Sequence, residues 1–390
     1  MAVSNETDVG ILFQPLRLNN RLTLRNRVVM APMTRNRSPN GIPGEDVAAY
    51  YQRRAENEVG LIITEGVAVD HPAAVGEAGL SEFAVPDMHG EAALAAWRKI
   101  VDNVHAAGSI IFPQLWHQGV MRIDGTGRFP DAPSMRPSGI WGTEGRRTSS
   151  SSEYVKQMLP LTRPMTDSEI ADVISAFARS AANAKNVGFD GIALHGGHGY
   201  LFDTFFWNDT NRRTDIFGGD LMGRARFAAD VIKAIRAAVG PDLPIMFRFS
   251  QWKQQDFDAR IADTPKELEQ WLGFLVDAGA DILDASTRMF DTPEFEGSAL
   301  SLAGWTRKLT GKITMAVGGV GTGRDFFTRV AGTSGFTENN MGRVAVAMTR
   351  GEFDLIGVGR ALLADPQFVQ KVRDGADFVA YTQEAREVLY

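Results

Sequence analysis

Eight short apolar, β-branched runs recur along the chain and alternate with segments of helical periodicity. The runs are 27–32 (RVVMAP), 60–66 (GLIITEG), 109–117 (SIIFPQLWH), 188–195 (GFDGIALH), 244–250 (PIMFRFS), 280–287 (ADILDAST), 312–320 (KITMAVGGV) and 353–360 (FDLIGVGR). None alternates cleanly between apolar and polar residues, which is how a strand covered on both faces reads. Strands alternating with helices predict a parallel sheet, and eight strands are the number that closes a (β/α)8 TIM barrel. A doubly wound open sheet is the alternative, but no GxGxxG follows the first run.

The helical segments carry their own start and stop signals. Thr166-Asp167-Ser168-Glu169 places a hydroxyl at the N-cap and a carboxylate three residues on. Ile170, Val173, Ile174, Phe177 and Ala181 then form one apolar stripe. Thr264-Pro265-Lys266-Glu267 repeats the device, with proline at the first helical position. Leu94, Trp97, Ile100, Val101 and Val104 make a similar stripe before Gly108. The α/β pattern runs through all 390 residues without a linker, so residues 1–390 read as one barrel domain. Residues 119–164 follow the third strand and are rich in Gly, Pro, Ser and Arg. That is too long for a plain loop. It predicts a cap over the barrel mouth, built from a hairpin and a mobile stretch around 148–152.

Charge and cysteine content narrow the chemistry. The chain has 41 basic and 47 acidic side chains, a net charge of −6, and no block of Lys or Arg. Nucleic acid and anionic membranes are therefore not expected partners. With no cysteine at all, disulfides, thiolate zinc sites, iron–sulfur clusters and thiol nucleophiles are excluded. No signal peptide or membrane-spanning run is read, and a cytoplasmic location is expected.

In a barrel of this kind the strand C-termini carry the chemistry. The seventh and eighth runs end in Gly318-Gly319 and Gly357-Val358-Gly359-Arg360. Glycine lets backbone N–H groups approach an anion, and arginine adds a fixed fork of donors. Together they predict a phosphate site, whereas either alone would read as a tight turn. His195-Gly196-Gly197-His198-Gly199-Tyr200 puts two imidazoles on a flexible turn, where they can converge on a substrate oxygen or on a metal. With His117 a three-histidine zinc site is conceivable, although no carboxylate base stands out beside it. Arg248 ends an apolar strand, so it either pairs with Glu65 or Asp284 or faces a developing anion such as a reduced cofactor. Gln114, also at a strand end, can donate and accept at once, which suits the edge of a heterocycle.

Taken together, NRVVMAPMTR, IITEG, PQLWHQG, HGGHGYL, NRRTDIFGG, AVGGV and GVGRALLADP resemble the old yellow enzyme family of flavin mononucleotide (FMN) ene-reductases. The motifs run in family order from Asn26 to Pro366. The resemblance implies a barrel that binds FMN and takes hydride from NADH or NADPH. It implies that Pro32, Met33, Thr34, Gly66 and Gln114 line the isoalloxazine, with Thr34 near N5 and Arg248 by N1. Gly318, Gly319, Gly357, Gly359 and Arg360 would hold the phosphate. His195 and His198 would bind the substrate oxygen, Tyr200 would donate a proton, and Trp116 and Phe290 would line the substrate's side. No metal is implied. The substrate would be a small enone or quinone, and the protein a monomer or homo-oligomer.

Two runs depart from the family's usual pattern. They are Phe202-Asp203-Thr204-Phe205-Phe206-Trp207 after Leu201, and Phe249-Ser250-Gln251-Trp252-Lys253 after Arg248. The first predicts a reshaped mouth or a subunit contact. It also keeps open a relative that oxidises N-methylated amines, since aromatic faces attract cations. A metal-dependent hydrolase using His117, His195 and His198, and a flavin-binding protein without turnover, are the further alternatives.

Overall fold

The structure is a computed structural model that describes residues 8–77, 84–143, 148–322 and 338–389. A small antiparallel pair, β1 (Leu16–Arg17) and β2 (Thr23–Leu24), precedes the barrel. The barrel strands are β3 (Val28–Met30), β4 (Leu61–Ala68), β5 (Ile110–Trp116) and β6 (Ile192–His195), then β7 (Ile245–Phe249), β8 (Ile282–Ser286), β9 (Ile313–Val317) and β10 (Leu355–Val358). Seven of the eight predicted runs contain one of them, and β4 extends two residues past the run 60–66. All neighbours pair in parallel, and β10 closes the ring onto β3, with Ile356 opposite Val28.

The described α-helices are α1 (Glu45–Glu56), α2 (Glu91–Ala106), α3 (Ser152–Met158), α4 (Asp167–Val187), α5 (Leu201–Phe206) and α6 (Leu221–Val239), followed by α7 (Pro265–Asp277), α8 (Leu302–Thr310), α9 (Met341–Thr349), α10 (Arg360–Ala364), α11 (Phe368–Asp374) and α12 (Gln383–Glu387). Both predicted capping boxes form: Thr166 with Glu169 starts α4, and Thr264 with Glu267 starts α7. In each box the hydroxyl accepts a backbone N–H and the carboxylate accepts another, so two otherwise orphaned donors are satisfied.

Strand residues alternate between two cores. Val28 and Met30 face the helical layer, whereas Val29 and Ala31 join Leu61, Ile63, Phe112, Ala193, Met246, Ile282, Met315 and Leu355 in a cluster filling the barrel. Leu16, Leu18, Leu22 and Leu24 of the β1–β2 hairpin pack against that cluster and cover one end of it. The other end, where the strands finish, is the mouth.

The excursion after β5 is packed rather than loose, and no β-hairpin occurs among its described residues; 144–147 lie outside them. Tyr154 donates to the Met121 carbonyl at 2.6 Å, and Arg136 donates to the Met158 and Pro160 carbonyls. The predicted mobile stretch instead leads into α3, where Ser151 caps the Tyr154 N–H. Thr148 and Ser149 both donate to the Gln254 carbonyl, which ties the excursion to the loop after β7.

The bulky run 202–207 is core. Phe205 stacks on Phe227 at 4.3 Å, and Phe206 packs against Phe247 and Trp271. These rings are withdrawn from both mouth and surface because α5 lies between the sheet and α6. The run therefore offers a cation no aromatic face and forms no exposed contact patch.

Candidate active site

Strand irregularity aims the site. Opposite β5, β4 carries one extra residue between Ile63 and Gly66, a bulge that breaks the regular ladder. The Thr64 hydroxyl takes the Gln114 N–H there, at 3.1 Å. Beside it, the buried Glu65 carboxylate accepts the Arg35 N–H at 2.8 Å and so fixes the loop that follows Thr34. Burial pushes this carboxyl up to about 7, opposed by the Arg35 N–H.

The turn after β6 is bent twice into the left-handed region, at His198 (φ 66°) and Gly199 (φ 84°). A histidine there is strained and must be held by its surroundings. The His198 N–H donates to Ser250 Oγ at 2.9 Å, and the Gly199 N–H to the Asp203 carboxylate at 2.7 Å. Folding back in this way brings His195 Nε2 to 3.0 Å from His198 Nδ1, while His198 Nε2 lies 2.9 Å from Ser286 Oγ. Arg248 donates to the same serine at 3.2 Å. Tyr200 stands edge-on to both Trp116 (4.9 Å) and His195 (4.8 Å). Trp252 lies over the His198 ring at 4.6 Å.

Burial holds both imidazoles well below the ordinary histidine range. Arg248 acts in the same direction on each, and for His198 so do His195 and Lys253. Both are therefore neutral near pH 7, and each offers one N–H. Such a pair can polarise an oxygen without surrendering a proton to it.

The cleft has two joined hollows that share Pro32, His198 and Arg248. The smaller, about 90 Å³, is lined also by Thr34, Gly66, Gln114, Trp116, His195 and Tyr200. The larger, about 240 Å³, is lined by Met33, Trp252, Ser286, Gly318, Gly319, Gly357, Gly359 and Arg360 among others. Every residue expected to touch a cofactor thus borders one continuous space, as do His195, His198, Tyr200 and Trp116. Phe290 does not. It is buried edge-on against Phe353 below Arg343, and it borders a separate hollow. Its backbone explains the placement: the Phe290 N–H donates to the Gly318 carbonyl, so this residue supports the glycine turn from behind.

The larger hollow suits an anion. Gly318 and Gly319 have φ of 138° and 67°, and a Cβ on Gly318 would sit 2.4 Å from the Thr287 carbonyl. Only glycine keeps that cradle open. Beside it, burial pushes the Arg360 guanidinium down to about 10, and the Tyr381 ring lies 5.9 Å away. In the smaller hollow, the buried Gln114 amide nitrogen has no partner within the protein. Those donors fit a flat heterocycle carrying a phosphate tail.

The match to the family model settles what such a cleft belongs to: it spans residues 11–377 and describes the NADH:flavin oxidoreductase / NADH oxidase family. The chain belongs to this family. Its resemblance to the old yellow enzymes is thereby upheld, and FMN is its cofactor as a member of this family. Among curated proteins the chain is similar to the NADH oxidase of Thermoanaerobacter brockii, at 33% identity over 93% of the chain and 51% of that protein. It therefore spans about half the length of that relative. It is also similar to the chanoclavine-I aldehyde reductase of Penicillium roqueforti, at 32% identity over 95% of the chain and 91% of that enzyme. Among solved structures it is similar to morphinone reductase in complex with tetrahydroNAD, with 26% identity and a TM-score of 0.76 over 96% of this chain and 93% of that one.

The flavin enzyme's geometry weighs against the hydrolase alternative. His117 faces His71, with ring centroids 5.4 Å apart, and its Nδ1 accepts the Gly119 N–H. Among the described residues no three His, Asp or Glu side chains converge as a ligand set. No described helix is long and apolar enough to cross a membrane. Reading the sequence alone did not find the parts played by Ser250, Trp252 and Ser286. The only signal was the departure from the family pattern at 249–253 and the Ser286-Thr287 pair at a strand end.

Proposed function

We propose that this protein reduces the activated C=C bond of α,β-unsaturated carbonyl compounds at the expense of NADH or NADPH. The observation that carries the reading is the neutral His195–His198 pair beside Tyr200 in the smaller hollow of the cleft. Pro32, Met33, Thr34, Gly66, Gln114 and Arg248 would hold the flavin ring, and Gly318, Gly319, Gly357, Gly359 and Arg360 its phosphate. Bound FMN supplies hydride transfer, first from the nicotinamide and then to the substrate's β-carbon. His195 and His198 donate to the carbonyl oxygen and stabilise the negative charge that develops on it. The Tyr200 hydroxyl delivers a proton to the α-carbon, which completes the saturation of the double bond. Arg248 places a positive charge where reduction adds a negative one. Trp116 fixes the Tyr200 ring by its edge-on contact. The names chanoclavine-I aldehyde reductase and morphinone reductase support a carbonyl-bearing substrate, and the tetrahydroNAD complex supports a nicotinamide donor.

The test is a titration of the FMN-loaded protein with a phenol, followed by turnover of 2-cyclohexenone with NADPH and with NADH. A long-wavelength charge-transfer band and consumption of the enone are expected. Protein that binds flavin but gives neither overturns this reading.

A further inference from the structure

The two runs that depart from the family pattern meet inside the protein. Asp203, from the first, and Lys253, from the second, form an ion pair at 2.9 Å with both side chains wholly buried. A buried pair is weak support for stability, because desolvation offsets most of the attraction. Its surroundings give it another role. The second oxygen of Asp203 accepts the Gly199 N–H at 2.7 Å, between His198 and Tyr200. Lys253 donates to the Gln251 carbonyl at 2.5 Å, and its backbone lies in a bridge with His198. From the same segment, Gln254 N–H donates to the His198 carbonyl and the Gln255 amide to the Gly199 carbonyl. A Cβ on Gly199 would lie 1.8 Å from Gln255 Oε1, so the turn has no slack on that side.

We infer that Asp203, its buried charge balanced by Lys253, is a positioning residue that sets His198 and Tyr200 toward the substrate by accepting the Gly199 amide. The inference rests on the functional reading above, in which those two side chains meet the substrate. The logic is geometric. His198 and Gly199 hold left-handed conformations only while the Gly199 N–H has a fixed acceptor. That acceptor keeps its place because Lys253, locked to the β7 loop, neutralises it. The Lys253 charge also adds to the burial that keeps His198 neutral.

Two charge-free double variants separate positioning from simple packing. In Asp203→Asn/Lys253→Met the amide oxygen still accepts from Gly199; in Asp203→Leu/Lys253→Met it cannot. Both are made as FMN-loaded full-length protein. The Asn variant should stay close to wild type in phenol binding and enone turnover. The Leu variant should bind phenol about tenfold more weakly, as for one lost hydrogen bond. Its enone kcat should fall about 10²-fold, as for a small misplacement of a reacting group. Its flavin content and NADPH-driven flavin reduction should be unchanged. If the Leu variant does not fold, Asp203→Ser/Lys253→Met replaces it, its hydroxyl being too short to reach Gly199. Equal phenol affinity and enone kcat in the Asn and the acceptor-free variants overturns the positioning role alone. Wild-type protein that binds FMN but neither phenol nor enone overturns the functional reading, and this role with it.

Discussion

Arg248 Nε lies 3.5 Å from the Asp284 carboxylate, directly across the register of β7 and β8, and both groups are buried. Burial pushes the Asp284 carboxyl up to about 6, and Arg248 opposes that rise. Removing one partner of a buried pair leaves an uncompensated charge. Arg248→Met should therefore destabilise the protein by about 3–5 kcal/mol in urea unfolding at pH 8. The loss should shrink toward pH 5: a carboxyl whose folded pKa is raised penalises the fold above that pKa, and protonation relieves the penalty. Arg248→Met/Asp284→Leu should regain most of the stability. It should nevertheless leave the bound flavin with a more negative potential, since the positive charge is gone. A single variant as stable as wild type would show that the pair holds nothing together.

The phosphate cradle is tested at Arg360. Replacing it with alanine removes charge-assisted hydrogen bonds worth about 1.5–3 kcal/mol each. FMN affinity should fall about 10- to 100-fold, read by fluorescence as flavin is released. Unchanged affinity would place the phosphate elsewhere.

The paired imidazoles differ in what each substitution removes. Alanine at His195 or His198 should weaken phenol binding about 10- to 100-fold, as expected for loss of a donor to an anionic oxygen. His198→Asn should be milder, because an amide also donates. Flavin content should not change in any of the three. Loss of flavin in step with phenol affinity would mean that the histidines support the cofactor instead.

Tyr200→Phe should slow enone reduction by about 10²–10⁴-fold, the usual contribution of a general acid. Reduction of the flavin by NAD(P)H needs no proton from this hydroxyl and should be nearly unaffected. Quinones should also be reduced at close to the wild-type rate. Stopped-flow measurement of the two half-reactions decides the matter, and equal slowing of both would remove Tyr200 from the acid role.

His117 gives the fold a pH dependence. It is wholly buried, and desolvation holds its imidazole well below the ordinary range. A base whose folded pKa is depressed contributes stability that is complete above its unfolded pKa and drains away as pH falls below it. Between pH 7.5 and 5.5 the loss from this one group is at most about 1.4 kcal/mol. His117→Gln keeps an acceptor for the Gly119 N–H but does not titrate. The fall in Tm over that interval should be smaller in this variant than in wild type.

The barrel was legible because a strand buried on both faces must be apolar along its whole length, and eight such runs leave few alternatives. The capping boxes at Thr166 and Thr264 were legible for an equally local reason, since cap and carboxylate lie within four residues. The β1–β2 hairpin was missed, although Leu16, Leu18, Leu22 and Leu24 alternate about Asn19-Asn20. Two-residue strands are shorter than the usual periodic signal. Strand-end logic assembled Gln114, His195, His198, Arg248 and Arg360 around one cleft. The resemblance misplaced Phe290, because sequence position does not say which way a side chain leaves a loop. The departure at 202–207 reads in sequence as a reshaped mouth or a subunit contact, whereas Phe205 and Phe206 pack between the sheet and α6. Ser286, Trp252 and the Asp203–Lys253 pair could not be assigned, since their roles depend on contacts between distant segments.

The closure of β10 onto β3 has a consequence for how the protein is made. The ring joins the first barrel strand to the last, so closing it carries the loop entropy of nearly the whole chain and ranks among the slow steps of folding. Pro32 and Met33 follow β3, whereas Gly357 and Arg360 belong to β10 or follow it. A chain still emerging from the ribosome therefore lacks the β10 half of the proposed flavin site until its last strand is out. Flavin held there as proposed would bind the closed ring and stabilise it by mass action. Bound colour is then a direct report that the seam has shut.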